Sequence, residues 1–401
     1  MNTKLVLKLN GYILLFDAVA MLLPVMVALY YQESAGLAFA PAIVLALALG
    51  LPMFLIKPKS RELYAREALV TVSVAWIVMS IVGGLPFYLS REIPSFIDCF
   101  FETASGFTTT GATILTDVEA LSRCMLFWRS FTHWIGGMGV LVFVMAITSL
   151  AGGNNMQLLR AESAGPKVEK ILPKANTNSK LLYGMYIGLT FLQVVFLLFG
   201  DMPFFDAITT AFGTAGTGGF AIWSDSMVTF GGTVAHVEYC QWVVAVFMFI
   251  FSINFNLYYL ILTGKALAAL LSEEFHWFIG ITITATALIT YNIYSICGNL
   301  ADALRHAFFQ VSTVLSTSGF ATDDFNLWPN LSKTLLLVLM LVGACAGSTG
   351  GGIKVSRLVI SVKSTWAEIR HMTNPRQIKK VMFENDVVMA DGGLHSTFFY
   401  L

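Results

Sequence analysis

Eight apolar runs, each about 20 residues long and so able to cross a hydrocarbon core, limit what this chain can fold into. They fall near Ile13 to Tyr31, Leu37 to Ile56, Ala68 to Leu89, Leu126 to Leu150, Leu181 to Gly200, Cys240 to Leu262, Phe275 to Cys297 and Leu335 to Ile360. With 56% of its 401 residues hydrophobic and only 12% charged, the chain lacks the polar surface to cover a globule in water, and lipid must serve as its solvent. The first run has no small-residue cleavage site and is expected to stay in the mature protein. Charge then orients the helices. With the N-terminus inside, the basic clusters around Lys57 to Arg66, Arg160 to Lys180 and Arg370 to Lys380 all face the cytoplasm. The opposite loops carry acids, among them Glu92, Glu102, Glu119, Asp206, Asp225 and Asp323, which topology alone explains and which would also concentrate cations outside. The cysteines, Cys99, Cys124, Cys240, Cys297 and Cys345, show no metal-ligand spacing and read as packing residues. Of the histidines only His133 sits close to a span, and a structural role is expected for it.

The chain also repeats itself. Asp98 to Thr113 (DCFFETASGFTTTGAT), Asp206 to Ala221 (DAITTAFGTAGTGGFA) and His306 to Ala321 (HAFFQVSTVLSTSGFA) align without gaps and bring Gly111, Gly219 and Gly319 into one column. Each segment begins as an amphipathic stretch of about three turns, too short to span a membrane, and then breaks into a run of Thr, Ser and Gly between two flanking spans. Irregular backbone at membrane depth is tolerated only where protein buries it or where it lines a watery cavity, so a re-entrant loop is expected. Glycine in the shared column accepts the positive φ needed to aim successive carbonyls at one point, and carbonyl rings can replace the hydration shell of potassium. The candidate ligands are the backbone oxygens of Thr109, Thr110 and Gly111, of Thr217, Gly218 and Gly219, and of Thr317, Ser318 and Gly319, with the hydroxyls secondary. Close helix packing would account for one such loop; three aligned copies favour a pore.

These residues resemble the Trk/Ktr/HKT superfamily of potassium and sodium transporters, most closely its bacterial TrkH/TrkG branch. The likeness runs from about Asn10 to Leu401 and is carried by SGFTTTGAT at Ser105 to Thr113, WIGGMG at Trp134 to Gly139, FDAI at Phe205 to Ile208, TGGF at Thr217 to Phe220, TSGFAT at Thr317 to Thr322 and GACAGSTGGGIK at Gly343 to Lys354. The expected fold is an all-α polytopic membrane protein of tandem helix, pore loop, helix repeats. It would comprise an N-terminal helix pair over 1–64, a first repeat over 65–155, a cytoplasmic linker over 156–180, a second repeat over 181–272, a third over 273–362, and a second linker with the start of a fourth repeat over 363–401. By resemblance, four such units surround a pseudo-fourfold potassium-channel-like pore, usually within a homodimer. The function this implies is potassium uptake across the bacterial inner membrane as the pore-forming subunit of a Trk system. The family ties glycine in the first loop to potassium preference, so Gly111 points to potassium. It also implies a TrkA-type cytosolic regulatory subunit that binds NAD or ATP, docked on the basic segments 155–180 and 363–380. No other cofactor, no nucleic-acid partner and no enzymatic activity are expected.

Five glycines between Gly343 and Gly352 interrupt the last apolar run, and each costs about 1 kcal/mol in a helix interior. A flexible intramembrane loop is expected there, since the run Gly350, Gly351, Gly352 exceeds what close packing requires. By resemblance this loop is the gate, formed by Gly343, Gly347, Ser348, Thr349, Gly350, Gly351 and Gly352, with Lys354 near the inner mouth. The fourth loop of the family is missing, and the ending FFYL reads as a cut through a longer sequence or a truncated product. A symporter coupled to protons or sodium is the alternative; it would want an ionisable relay among the spans, and only Asp17 offers one. An enzyme would need a catalytic cluster, and the nearest, Glu273, Glu274 and His276, reads as a helix start.

Overall fold

Apolar sequence becomes helix here, broken at Met21 and where glycine or a capping side chain intervenes. The structure, a computed structural model, describes residues 2–58, 64–137, 139, 175–373, 381–384 and 386–388. It falls into two units, one of Met1–Phe247 with Ser318–Thr322 and one of Met248–Thr317 with Asp323–Leu401.

The first unit contains α1 (Thr3–Ala20), α2 (Leu22–Tyr31), α3 (Phe39–Leu55), α4 (Ala65–Leu89), α5 (Phe96–Phe107), α6 (Arg123–Gly137), α7 (Ala175–Leu198) and α8 (Phe204–Ala215). Small residues let α1 cross α3 closely: a Cβ on Gly11 would lie 2.6 Å from the Phe54 nitrogen. α5 packs between α4 and α6, and α8 packs against α6 and α7. At 12 residues each, α5 and α8 reach only about 18 Å, against a hydrocarbon core of about 30 Å, so both are half-helices. Ser95 caps α5 by accepting from the Asp98 N–H at 3.4 Å, and the acids Asp98 and Asp206 sit in the first turns of α5 and α8, where the helix dipole favours them.

In the second unit, α9 (Val237–Phe251) ends and α10 (Phe255–Leu262) turns away from it by 90°. There follow α11 (Ala266–Leu270), α12 (Glu273–Cys297), α13 (Leu300–Leu315), α14 (Asn330–Val342), α15 (Val355–Thr373) and a short antiparallel hairpin, β1 (Val381–Phe383) with β2 (Asp386–Val388). α12 packs on α13, α14 and α15 around buried Phe278, Ile289, Val311, Leu336 and Val359. α13 is the third half-helix, 16 residues long and capped by Asn299, whose side chain accepts from the Ala301 N–H at 3.0 Å.

Five helices among the described residues are long and apolar enough to cross a membrane, six if α9 and α10 form one bent span, where eight runs were expected. The run Cys240 to Leu262 bends because Asn254 caps α10, its side chain accepting from the Asn256 N–H at 3.0 Å. The run Leu335 to Ile360 breaks into α14 and α15 at the glycine cluster. In the run Leu126 to Leu150, α6 ends at Gly137 and residues 138 and 140–150 lie outside the described residues, as does the start of the fourth repeat at 397–401.

Candidate functional site

The first two repeat loops open in the same way, and the third shares the bond closing three residues back, from the Thr317 N–H to Val314 O at 3.1 Å. At the end of α5 the Thr109 N–H bonds Gly106 O at 3.1 Å and the Thr110 N–H bonds Ser105 O at 2.9 Å; at the end of α8 the Thr217 N–H bonds Thr214 O and the Gly218 N–H bonds Gly213 O, both at 3.1 Å. These paired bonds, closing three and five residues back, make a Schellman cap, whose left-handed position is normally glycine. Here that position is threonine: Thr109 has φ 54°, Thr217 φ 52° and Thr317 φ 59°. A β-branched residue at positive φ is a genuine outlier, costing about 1–3 kcal/mol and concentrated at functional sites. Two residues on, Gly111, Gly219 and Gly319 return to positive φ, 74°, 82° and 89°.

Within the first unit the loops meet carbonyl to glycine. A Cβ on Gly111 would lie 1.9 Å from Gly218 O, and one on Gly219 would lie 1.8 Å from Ser318 O, whereas one on Gly319 meets nothing within 4 Å. Gly111, Thr217, Gly218, Gly219, Ser318 and Gly319 are thereby brought together, with Thr109 and Thr110 leading into the first loop. Thr317 belongs to the second unit. The WIGGMG motif lets α6 approach the first two loops: a Cβ on Gly136 would stand 2.0 Å from Phe107 O, and one on Gly137 2.4 Å from the Gly216 Cα. His133 is structural, as expected. Its ring stacks on Phe220 at 4.0 Å, and Nδ1 accepts from the Phe220 N–H at 3.3 Å.

One site residue escaped the sequence reading. Glu102, counted there among the outer acids, is 1% exposed and pairs with buried Arg129, Nε to Oε1 at 2.6 Å. Only the polar residue at the same column of the other repeats, Thr210 and Gln310, hinted at a buried position.

The glycine cluster of the second unit is a folded-back loop, tied down where slackness was expected. Gly343 ends α14 at φ 70°. The Ala344 N–H then bonds Gly351 O at 3.2 Å and the Val355 N–H bonds Ala344 O at 3.1 Å, closing the loop on itself. The carbonyls freed by the bend after α9 take its N–H groups: Ser252 O accepts from Cys345 at 3.0 Å and Phe251 O from Thr349 at 3.4 Å. The Gly351 N–H donates to the Thr317 hydroxyl at 2.7 Å, and the Ser348 hydroxyl donates to Cys345 O at 2.6 Å. Glycine is needed sterically as well. A Cβ on Gly350 would come within 2.9 Å of Ser316 O, and one on Gly352 within 2.5 Å of the Gly343 Cα. Lys354, at φ 74°, donates from Nζ to Gly350 O. Glu274 is not a cap: Ser272 caps α12, while Glu274 Oε1 accepts from the Ala346 N–H at 2.8 Å and the Ser356 N–H at 3.1 Å, bridging the two ends of the loop.

A family model described as TrkH, a cation transport protein, matches residues 36–399. The Trk system potassium uptake protein TrkH of Salmonella typhimurium is 35% identical over 395 residues, which cover 96% of this chain and 80% of that protein. The Trk system potassium uptake protein TrkG of Escherichia coli is 31% identical over 411 residues, covering 100% and 84%. The crystal structure of the potassium transporter TrkH from Vibrio parahaemolyticus superposes with a TM-score of 0.87 at 28% identity, over 100% of this chain and 82% of that one.

Proposed function

The chain belongs to the TrkH family of cation transport proteins, and on that premise we propose that it conducts potassium into the cell as the pore-forming subunit of a Trk system in the bacterial inner membrane. The observation that carries the reading is the repeated left-handed threonine followed by a left-handed glycine, Thr109 with Gly111, Thr217 with Gly219 and Thr317 with Gly319. Alternating the sign of φ turns successive peptide units so that their carbonyls can address one point, and a ring of such oxygens offsets the loss of water around potassium. Each loop also follows a half-helix C-terminus, which contributes about half a negative charge and favours a cation.

In this reading the oxygens of Thr109 to Gly111, Thr217 to Gly219 and Thr317 to Gly319 select the ion, and the loop from Gly343 to Lys354 gates it. The repeats at 65–155, 181–272 and 273–362 are the structural units of the pore. The chain is a transporter rather than an enzyme, with potassium as its cargo. The naming of its relatives as Trk system proteins supports a further Trk component as partner: a TrkA-type cytosolic subunit through which NAD or ATP acts, with a homodimer as the assembly. Of the two basic docking segments, 155–174 lies outside the described residues, and Lys363 is already engaged by Glu273 and by Met382 O at 2.9 Å. Docking would draw on the basic residues of both segments, of which 374–380 also lie outside the described residues.

Bi-ionic reversal potentials of the full-length protein in planar bilayers test the proposal. Potassium should permeate better than sodium, and Gly111→Ser should lower that ratio. Gly188→Ser should leave it alone, because a Cβ there meets nothing within 4 Å. Equal loss in both variants would sink the assignment of the loops. A carrier coupled to protons or sodium is the second reading. It draws on Asp17, 0% exposed and with no hydrogen-bond partner on either carboxylate oxygen.

A further inference from the structure

We propose that the Glu102–Arg129 ion pair is a brace that sets the spacing of the first two loops and through it the choice between potassium and sodium. The proposal rests on the reading of those loops as the ion path. Glu102 holds the outer end of the first loop, accepting from the Thr113 hydroxyl at 2.9 and 3.0 Å and from the Ile114 N–H at 3.1 Å. Arg129 holds the outer end of the second, donating from Nη1 to Ala221 O at 2.7 Å with its guanidinium 3.5 Å over the Phe220 ring. His133 stacks on the same ring, so the residue following Gly219 is clamped between two side chains of α6.

Loops two and three are joined differently. The Met227 N–H donates to Ala321 O at 3.0 Å, and the Ala321 N–H donates to the Ser226 hydroxyl at 3.2 Å. The first of these is backbone to backbone; loops one and two are tied further out by the Val118 N–H to the Ser224 hydroxyl at 3.1 Å and the Ser224 N–H to Glu119 Oε1 at 2.8 Å, while beside the glycines themselves the link is the buried Glu102–Arg129 pair. The column of Glu102 carries Thr210 and Gln310 in the other repeats, neither of which supplies the negative charge of a charge-assisted bond to guanidinium. Whether selection comes from cavity size or from the number of carbonyls within reach, a brace that fixes one loop against its neighbour controls both. Buried in a low-dielectric setting, the pair holds its geometry more firmly than an exposed one would.

Permeability ratios and thermal unfolding of the full-length protein, measured for Glu102→Gln, Arg129→Lys, the double variant Glu102→Gln/Arg129→Gln, and Thr113→Val, test the brace. The potassium-to-sodium ratio should fall about tenfold in each ion-pair variant and no further in the double variant, because both act through one contact. Exposed Thr113 should fold after substitution and lose about threefold. A parent-like ratio in Thr113→Val together with any folded ion-pair variant overturns the brace. If no ion-pair variant folds, Thr113→Val alone decides, and a parent-like ratio there overturns it. Gly219→Ala runs alongside: should it leave selection intact, the reading of the loops fails rather than the brace.

Discussion

Threonine occupies the left-handed cap position in three loops where glycine would be at ease, so the side chain there must serve something other than folding. Thr109→Gly should relieve the strain and stabilise the protein by about 1 kcal/mol after allowing for the extra freedom of glycine when unfolded, while lowering ion selectivity. Thermal unfolding set beside permeability checks both halves, and a variant that is less stable and equally selective would show that the threonines are there for packing. The glycines divide by their surroundings. Gly219→Ala drives a Cβ to within 1.8 Å of Ser318 O, whereas Gly319→Ala meets nothing within 4 Å and carries only the conformational penalty of about 1–2 kcal/mol. Gly319→Ala should therefore keep more of the parent's stability and uptake than Gly219→Ala; the reverse order in an uptake assay would mean that the loops are arranged otherwise. The glycine column was legible because three copies align. The strained threonines were not, because a Thr reads as a hydroxyl until its φ is known.

At the scale of the element, apolar runs with no interruption gave helices near their expected limits, as at Phe275 to Cys297 against the observed Glu273–Cys297. Half-helices were legible from their length alone. The glycine cluster announced a break but not its form, since the N–H groups it frees are bonded to Phe251 O and Ser252 O, almost a hundred residues earlier. Glu274 illustrates the same blindness: its partners Ala346 and Ser356 lie 72 and 82 residues away in sequence, and its place at a helix start suggested a dipole partner. Glu274→Ala removes the bridge between the ends of the loop. Left without that acceptor, the two N–H groups cost about 1–3 kcal/mol each, and the loop should leave its folded position more often. Potassium flux should rise and depend less on any cytosolic regulator, and deleting Gly350 to Gly352 should act in the same direction. Flux and regulation matching the parent in both variants would assign the glycines to packing.

For the molecule as a whole, the passive and the coupled reading diverge at Asp17. A channel reverses at the potassium equilibrium potential whatever the proton or sodium gradient, and Asp17→Asn should leave that reversal in place because the loops are untouched. A reversal potential that tracks the pH or sodium gradient in the parent, and ceases to do so in Asp17→Asn, would establish the carrier instead.

Class, membrane setting and repeat were determined by the sequence alone, for the physical reason that a lipid solvent demands long apolar runs and tolerates irregular backbone only at protected sites. Those are local demands, visible in any window of about 20 residues. The tertiary structure alone decided which carbonyl faces which glycine, that Glu102 is a buried partner of Arg129 rather than an outer charge, and that Glu274 fastens a loop. Each of these depends on contacts between residues far apart in sequence, 27 positions for the ion pair and 72 or more for Glu274. No pattern of hydrophobicity or charge along the chain records such distances.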